Sequence, residues 1–378
     1  MRIENQISPL SWPTLQDFFS KCYRSNHAIL DREIFAWQYR CEENDPASLV
    51  CAWQDEKLVG VLGYLPIRSF WGNFDKPVHI AWAMNWMVDV DHRHGLGLAL
   101  LRRLEELYPI ILSVDASEIN TQIVQRMGWA LYPPMDRWLY IVNSKKIQII
   151  FGYEEVSSLN HGGADKGRNI WRLQENVREY RPDWFLYGSM KFGAIRDMSF
   201  MQWRYFSHPR FQYEVLCAGA KTRPAVCAYH IEYSYDRKGD FICAIGRIAD
   251  FFYPSDMDGE KDATNLMLGV LSKMHEQKCI FVDFYCAPSK LSDFMHNNGW
   301  IKQELNEPLL PSRFMPMDNN HKDLNYEIGT QNTSSLPSPG ELYLTKADCD
   351  AEMPGIMESE MPENIAKMYK MKTVSDSI

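Results

Sequence analysis

Asp89-Val90-Asp91-His92-Arg93-His94-Gly95-Leu96-Gly97-Leu98-Ala99-Leu100-Leu101 joins the end of an apolar strand to a basic turn with two glycines and an immediate amphipathic helix. Gly95 and Gly97 lack a Cβ, so the turn can take unusual dihedrals and let a phosphate approach main-chain N–H groups. The helix start adds unpaired donors and a favourable dipole. Beyond Gly97, Leu100, Leu101, Leu104 and Leu107 recur at helical spacing until Pro109 stops the run. A dinucleotide loop would need a further glycine, and a Walker loop would need Gly-Lys-Ser/Thr. The stretch therefore reads as a pyrophosphate cradle of another kind, against the plainer alternative of an ordinary strand-to-helix turn.

Its surroundings favour the cradle. Residues 48–53 and 58–64 read as two strands joined by the polar turn Gln54-Asp55-Glu56-Lys57, and residues 80–88 form a strand running straight into the glycines. After the helix come a short apolar strand at 110–114 and a polar helix at 117–127 that ends at Gly128-Trp129 as a glycine cap would. A last strand at 138–142 is expected to close the unit. His92-Arg93-His94-Gly95-Leu96-Gly97 resembles the Arg/Gln-x-x-Gly-x-Gly/Ala acetyl-CoA signature of the GCN5-related N-acetyltransferases (GNAT), with His92 where Arg or Gln is usual and Arg93 beside it. The order of elements resembles that family's over about the first 145 residues. The resemblance implies an α/β fold built on a mixed sheet.

Composition bounds the alternatives. The chain has 378 residues, 46% hydrophobic and 13% aromatic, enough for a large core and two or three domains. No run of 18 apolar residues and no signal-like N-terminus is present, so no membrane insertion and a cytoplasmic location are expected. Cysteines 22, 41, 51, 217, 227, 243, 279, 286 and 349 are scattered without a Cys-x-x-Cys pair, which points to reduced thiols and to no metal site. A net charge of −9 without a Lys/Arg cluster argues against nucleic acid as a partner.

Residues 146–170, with His161-Gly162-Gly163-Ala164-Asp165-Lys166-Gly167, read as a polar linker. Beyond it the first half is faintly repeated. Trp37 in Phe35-Ala36-Trp37-Gln38-Tyr39-Arg40 is answered by Trp203 in Phe200-Met201-Gln202-Trp203-Arg204-Tyr205, an offset of 166, and Gly128-Trp129 by Gly299-Trp300, an offset of 171. Strands at 213–218, 225–235, 241–252 and 279–285, with helices at 262–276 and up to Gly299, follow the same order. In place of the glycine loop stands Tyr253-Pro254-Ser255-Asp256-Met257-Asp258-Gly259-Glu260-Lys261-Asp262, whose acidity would repel a pyrophosphate. Two tandem GNAT folds are expected: 1–145 with the acetyl-CoA loop and 171–350 degenerate, cofactor-free and shaping the acceptor pocket, followed by a polar tail at 351–378. Such tandems resemble mycothiol synthases, N-myristoyltransferases and Fem-type transferases, and the aromatic-Arg segments look most like acetyltransferase-family proteins found with bacterial surface-polysaccharide genes. Residues 341–350 are expected as the last strand of the second unit, leaving 315–339 as a long polar loop.

The resemblance implies acyl transfer from acetyl-CoA to an amine, which needs a base, an oxyanion donor and an acid for the thiolate. It assigns the pantetheine and oxyanion to the backbone of Asn85, Trp86, Met87 and Val88, and the phosphates to Arg93, His94, Gly95, Leu96, Gly97 and Leu98, with Asn120 as a further contact. The family's usual tyrosine acid falls at Val124, so Tyr132 is the substitute candidate. Base candidates are Asp115, whose other reading is the N-cap of the next helix, and His79, with His208 and Asp250 reaching in from the second unit. The expected acceptor is a small-molecule primary amine, an amino sugar or nucleotide-linked amino sugar by resemblance, and a homodimer is left open. A non-catalytic acyl-CoA-binding scaffold and a Fem-like aminoacyl transferase are the competing functions.

Overall fold

The computed structural model describes residues 1–5, 12–23, 27–40, 47–72, 76–152, 167, 169–235, 240–303, 310–314, 317–318, 324–330, 336–338 and 340–348. The chain builds two large mixed sheets with helices packed on them, as the alternation of apolar strand-like runs and amphipathic helices predicts. The first sheet runs Arg2–Glu4, Leu49–Gln54, Lys57–Trp71, Val78–Val88, Ile110–Val114, Tyr326–Thr330, Ala130–Tyr132, with Phe192–Ala194 pairing the far end of the long third strand. The second runs Trp171–Arg172, Glu214–Ala218, Ala225–Tyr235, Phe241–Phe252, Cys279–Cys286, Asp136–Ile141, Ile301–Lys302. In each, the fourth and fifth strands are parallel and every other neighbouring pair is antiparallel. A parallel pair needs a crossover, supplied by the helices Leu96–Leu107 and Met257–Glu276. Leu100 and Leu104 of the first helix are wholly buried against its sheet, each contributing roughly 1.5–3 kcal/mol.

The sixth position of each sheet is exchanged. Asp136–Ile141 pairs with Cys279–Cys286, and Tyr326–Thr330 pairs with Ile110–Val114. The strand expected at 138–142 therefore completes the second sheet rather than closing the first, and the stretch expected as a long loop at 315–339 carries a strand of the first sheet. Asp136–Ile141 is buried at every position, and both of its flanks are covered by distant strands of the second sheet. Residues 144–151 form a helix with Ile147 buried, where an irregular linker is expected; most of the remaining linker, Cys41, Cys349 and residues 351–378 lie outside the described residues.

The repeat is visible in hydrogen bonds. Trp37 Nε1 donates to the Trp203 carbonyl at 2.8 Å, and Trp203 Nε1 donates to the Trp37 carbonyl at 2.7 Å. The indoles stack at 5.8 Å, with Arg40 over Trp203 at 4.6 Å and Arg204 over Trp37 at 5.0 Å. Asp31 and Asp197, each six residues before its tryptophan, N-cap the helices that carry them. At the second landmark, Trp129 N bonds Val124 O and Trp300 N bonds Met295 O, after glycines at φ 86° and 79°. Two copies of one local design thus meet face to face.

The parallel strands of the second sheet end in a filled crevice. Ala347 N donates to Ala249 O on one strand, and Ala287 N, just past the other, donates to Leu344 O, while Thr345 bridges Cys286. Residues 342–348 therefore thread between the two diverging strand ends instead of forming a last sheet strand. Beneath them Arg196 donates to Asp250 at 2.6 Å and to both oxygens of Asp348 at 3.0 and 2.8 Å, and Tyr205 and Tyr343 donate to Asp250. All five side chains are buried.

Candidate active site

In the first sheet the equivalent crevice is open. Parallel pairing of Val78–Val88 with Ile110–Val114 stops at Ala83 and Ser113. Just beyond it the fourth strand bulges: Met84 faces Gly63 and Met87 faces Val61, so two residues, Asn85 and Trp86, oppose Leu62. Asn85 holds φ at +51° and is fixed by its side chain, whose Oδ1 accepts from Tyr23 Oη and whose Nδ2 donates to Tyr39 Oη, both at 2.8 Å. A bulge there turns backbone groups out of the ladder and into the gap. The gap is a cavity of about 1240 Å³, lined by Asn85, Trp86, Met87 and Val88 on one side and by Ser113, Val114, Asp115 and Asn120 on the other.

The glycine turn closes one end. Gly95 is the N-cap of Leu96–Leu107 at φ +84° and supplies no side-chain cap, so the first-turn N–H groups are left for another acceptor. A Cβ at Gly97 would meet Trp86 Nε1 at 3.3 Å, and Trp86 Nε1 donates to Gly97 O at 3.2 Å; the missing side chain lets the indole lie on the helix start. Gly97 and Arg93 line the cavity, and Arg93 Nε reaches Val88 O at 3.5 Å. A donor-rich turn without side chains beside a cation fits a diphosphate.

Two carboxylates stand at the opposite end. Asp115, in the left-handed region at φ +59°, has its N–H bonded to Asn325 O. Ser117, not Asp115, N-caps Glu118–Arg126. Glu327, from the exchanged strand, is buried and accepts from Thr121 Oγ1 at 2.7 Å; burial, helped by the Asp115 charge, pushes its carboxyl above the ordinary glutamate range against the hydrogen bonds of Thr121 and Ser113. A raised folded-state pKa means that Glu327 costs stability as pH rises through and above the ordinary value near 4.3. Glu327→Gln is expected to gain stability relative to the parent between pH 4 and pH 8 in urea titrations; a pH-independent difference would contradict the burial argument.

The structure gathers Trp86, Met87, Val88, Arg93, Gly97, Asn120 and Asp115 around one cavity. Gly95 and Leu98 lie on the outer side of the same helix start, His94 is exposed and Leu96 is packed in the core. His79 is corrected: it sits exposed at the far end of its strand, opposite Arg68 and outside the cavity lining. Tyr132 is corrected too, because its hydroxyl donates to Pro337 O at 2.8 Å and its ring stacks on Tyr326. His208 is half-buried, accepts from the Arg210 and Phe211 N–H groups and is held well below the ordinary histidine range by desolvation and neighbouring cations, while Asp250 is locked to Arg196. Val124 lines the cavity with no hydroxyl to offer.

Sequence reasoning missed Tyr23 and His27, stacked at 4.0 Å and lining the cavity beside the bulge, and Glu327. It also missed the wall that the second sheet contributes, with Glu232, Arg247, Tyr285 and Lys346. The available signal was a charge inside an apolar strand run, as at Arg247 between Gly246 and Ile248.

The acetyltransferase (GNAT) family model matches residues 12–111. Among solved structures, a GCN5-related N-acetyltransferase from Anabaena variabilis ATCC 29413 is 13% identical with a TM-score of 0.56, covering 88% of this chain and 74% of that one. A GCN5-related N-acetyltransferase from Kribbella flavida is 12% identical with a TM-score of 0.49, covering 86% and 71%. No curated protein matches the sequence. At 13% identity the first likeness speaks for the fold, and it extends over both sheets. Among the described residues no helix is long and apolar enough to cross a membrane. The match to the acetyltransferase (GNAT) family thus lies at residues 12–111, within a two-sheet mixed α+β protein.

Proposed function

We propose that this chain moves an acyl group from acyl-CoA, held in the first-sheet crevice, to a primary amine that enters against the second-sheet wall. The observation that carries the reading is the convergence of the Asn85 bulge, the parted parallel strands and the donor-rich helix start on one cavity. The backbone of 93–98 would hold the diphosphate, and the bulged strand would hold the pantetheine and the carbonyl oxygen of the thioester. Asp115 accepts the proton as the amine nitrogen bonds to the thioester carbon. The C–S bond then breaks, and the departing thiolate takes a proton from Tyr23, whose hydroxyl is already oriented by Asn85.

Taking the chain as tandem units centred on 1–145 and 171–350, each lends the other a strand, and the threading of 342–348 through the second crevice supports a single acyl-CoA site. Seven described cysteines are free thiols, in keeping with a cytoplasmic setting. The resemblance makes an amino sugar or nucleotide-linked amino sugar the leading acceptor class. Asp115→Asn is expected to lower kcat by roughly 10²–10⁴-fold while acyl-CoA binding persists. An unchanged kcat would strike Asp115 from the role. Acyl-CoA binding without thiol release against any amine would favour the non-catalytic reading that the buried Val124 suggests.

A further inference from the structure

The bulge in the fourth strand of the first sheet hangs on one asparagine. Asn85 holds φ at +51°, in a region that few residues other than glycine adopt and that Asn enters more readily than most. Such a backbone persists where its surroundings over-determine it. Here the side chain is tethered from two sides, with Oδ1 accepting from Tyr23 Oη and Nδ2 donating to Tyr39 Oη, both at 2.8 Å. Tyr23 and Asn85 line the cavity, whereas Tyr39 lies outside its lining. Tyr39 ends the helix Arg32–Gln38, is 2% exposed and has Phe35 against its ring at 4.9 Å. Its hydroxyl therefore reaches the bulge from within the core.

The adjoining strand makes room for that reach. Gly63 pairs with Met84, the residue before the bulge, and a Cβ there would overlap the Tyr39 hydroxyl and stand 2.7 Å from the ring carbon that bears it. Gly63 has no left-handed backbone to demand a glycine, so the missing side chain is the space that the hydroxyl fills. The second sheet repeats the device. Tyr205 stands two residues after Trp203, as Tyr39 does after Trp37, and donates to Asp250 at 2.7 Å. Asp250 follows Asn85 at an offset of 165, close to that of the tryptophans, and sits at the irregularity of its own fourth strand, where Ala228 faces Asp250 but Tyr229 faces Ile248. There Arg196 neutralises the carboxylate and the crevice is filled. In the open copy a neutral amide stands in that place, so the tyrosine holds the strand end with no counter-ion required.

We propose that Tyr39 is a positioning residue for acyl transfer: it holds Asn85, and with it the bulge whose backbone N–H groups meet the thioester carbonyl. This rests on the acyl-transfer reading of the same cavity and goes past it to a side chain that touches no substrate. The readout is the carbonyl stretch of acetyl-CoA isotopically labelled at its carbonyl carbon, followed by difference infrared spectroscopy on the full chain, beside calorimetry with free CoA. Binding to the parent is expected to shift the stretch to lower frequency, since a donated hydrogen bond polarises the carbonyl. Tyr39→Phe and, independently, Gly63→Ala are expected to lose most of that shift while CoA affinity changes by less than about threefold. The first keeps the ring and the second keeps the hydroxyl, so a shared packing defect does not account for a loss in both. Together they are expected to lose no more than either alone, because both act on one hydroxyl. A shift that survives Tyr39→Phe, a loss that comes only with loss of the fold or of CoA affinity, or additive losses in the double variant would overturn the proposal. So would a parent that binds acetyl-CoA without any shift, whereas a parent that binds neither thioester nor CoA would sink the underlying reading as well.

Discussion

Gly95→Asp is expected to weaken acetyl-CoA binding by about 100-fold or more while leaving the protein folded. Gly95 caps the Leu96–Leu107 helix at φ +84°, and nothing lies within 4 Å of where a Cβ would stand. The side chain therefore has room, and the left-handed backbone costs an L residue only about 1–2 kcal/mol, less for Asp than for most. What changes is the charge offered to a diphosphate, from bare N–H groups to a carboxylate that also satisfies them. Gly95→Ala isolates the backbone cost. Calorimetry reads the affinity, and circular dichroism with thermal melting reads the fold. Normal affinity in the aspartate variant would remove the loop from the binding site.

The second large effect falls on stability. Arg196→Met is expected to cost about 3–5 kcal/mol, since it strands Asp250 and Asp348 in a space from which water is excluded. Burial already raises the Asp348 carboxyl even with the guanidinium in place. Without it, the buried Asp348 carboxyl has lost the cation that opposed that rise, so its folded-state pKa exceeds the unfolded one and the variant loses stability as pH rises. Urea denaturation between pH 5 and pH 8 should therefore show the deficit growing with pH. Adding Asp250→Asn and Asp348→Asn should recover part of it and flatten the pH dependence. A deficit that is small, or constant with pH, would mean that the cluster is better solvated than its burial implies.

Much of the first half was legible because its elements are short-range. The glycine turn, the helix behind it and the strand Ile110–Val114 each announce themselves within a dozen residues by period, cap and breaker. The repeat was legible for the same reason, since Trp37 and Trp203 sit in similar local sequences, and hydrogen bonding joins those same two residues. What the sequence concealed was pairing over long distances. Nothing local in Asp136–Ile141 says that its partner lies near residue 280, and Tyr326–Thr330 is a five-residue strand within a polar stretch. Glu327 was missed with that strand. His79 failed as a candidate because a strand has two ends, and only the one past Ala83 opens. Tyr132 failed because proximity in sequence to a glycine cap did not place its hydroxyl in the cavity.

The exchange of sixth strands has a consequence for the protein's birth. During synthesis the sheet begun at Arg2–Glu4 cannot receive its Tyr326–Thr330 neighbour until about two hundred residues beyond Ile110–Val114 have been added, so that strand waits with an unmated edge. Asp136–Ile141 waits as well, an apolar ribbon made long before Cys279–Cys286. Neither sheet can be completed ahead of the other, so each half carries an exposed strand edge for longer than two separable beads would.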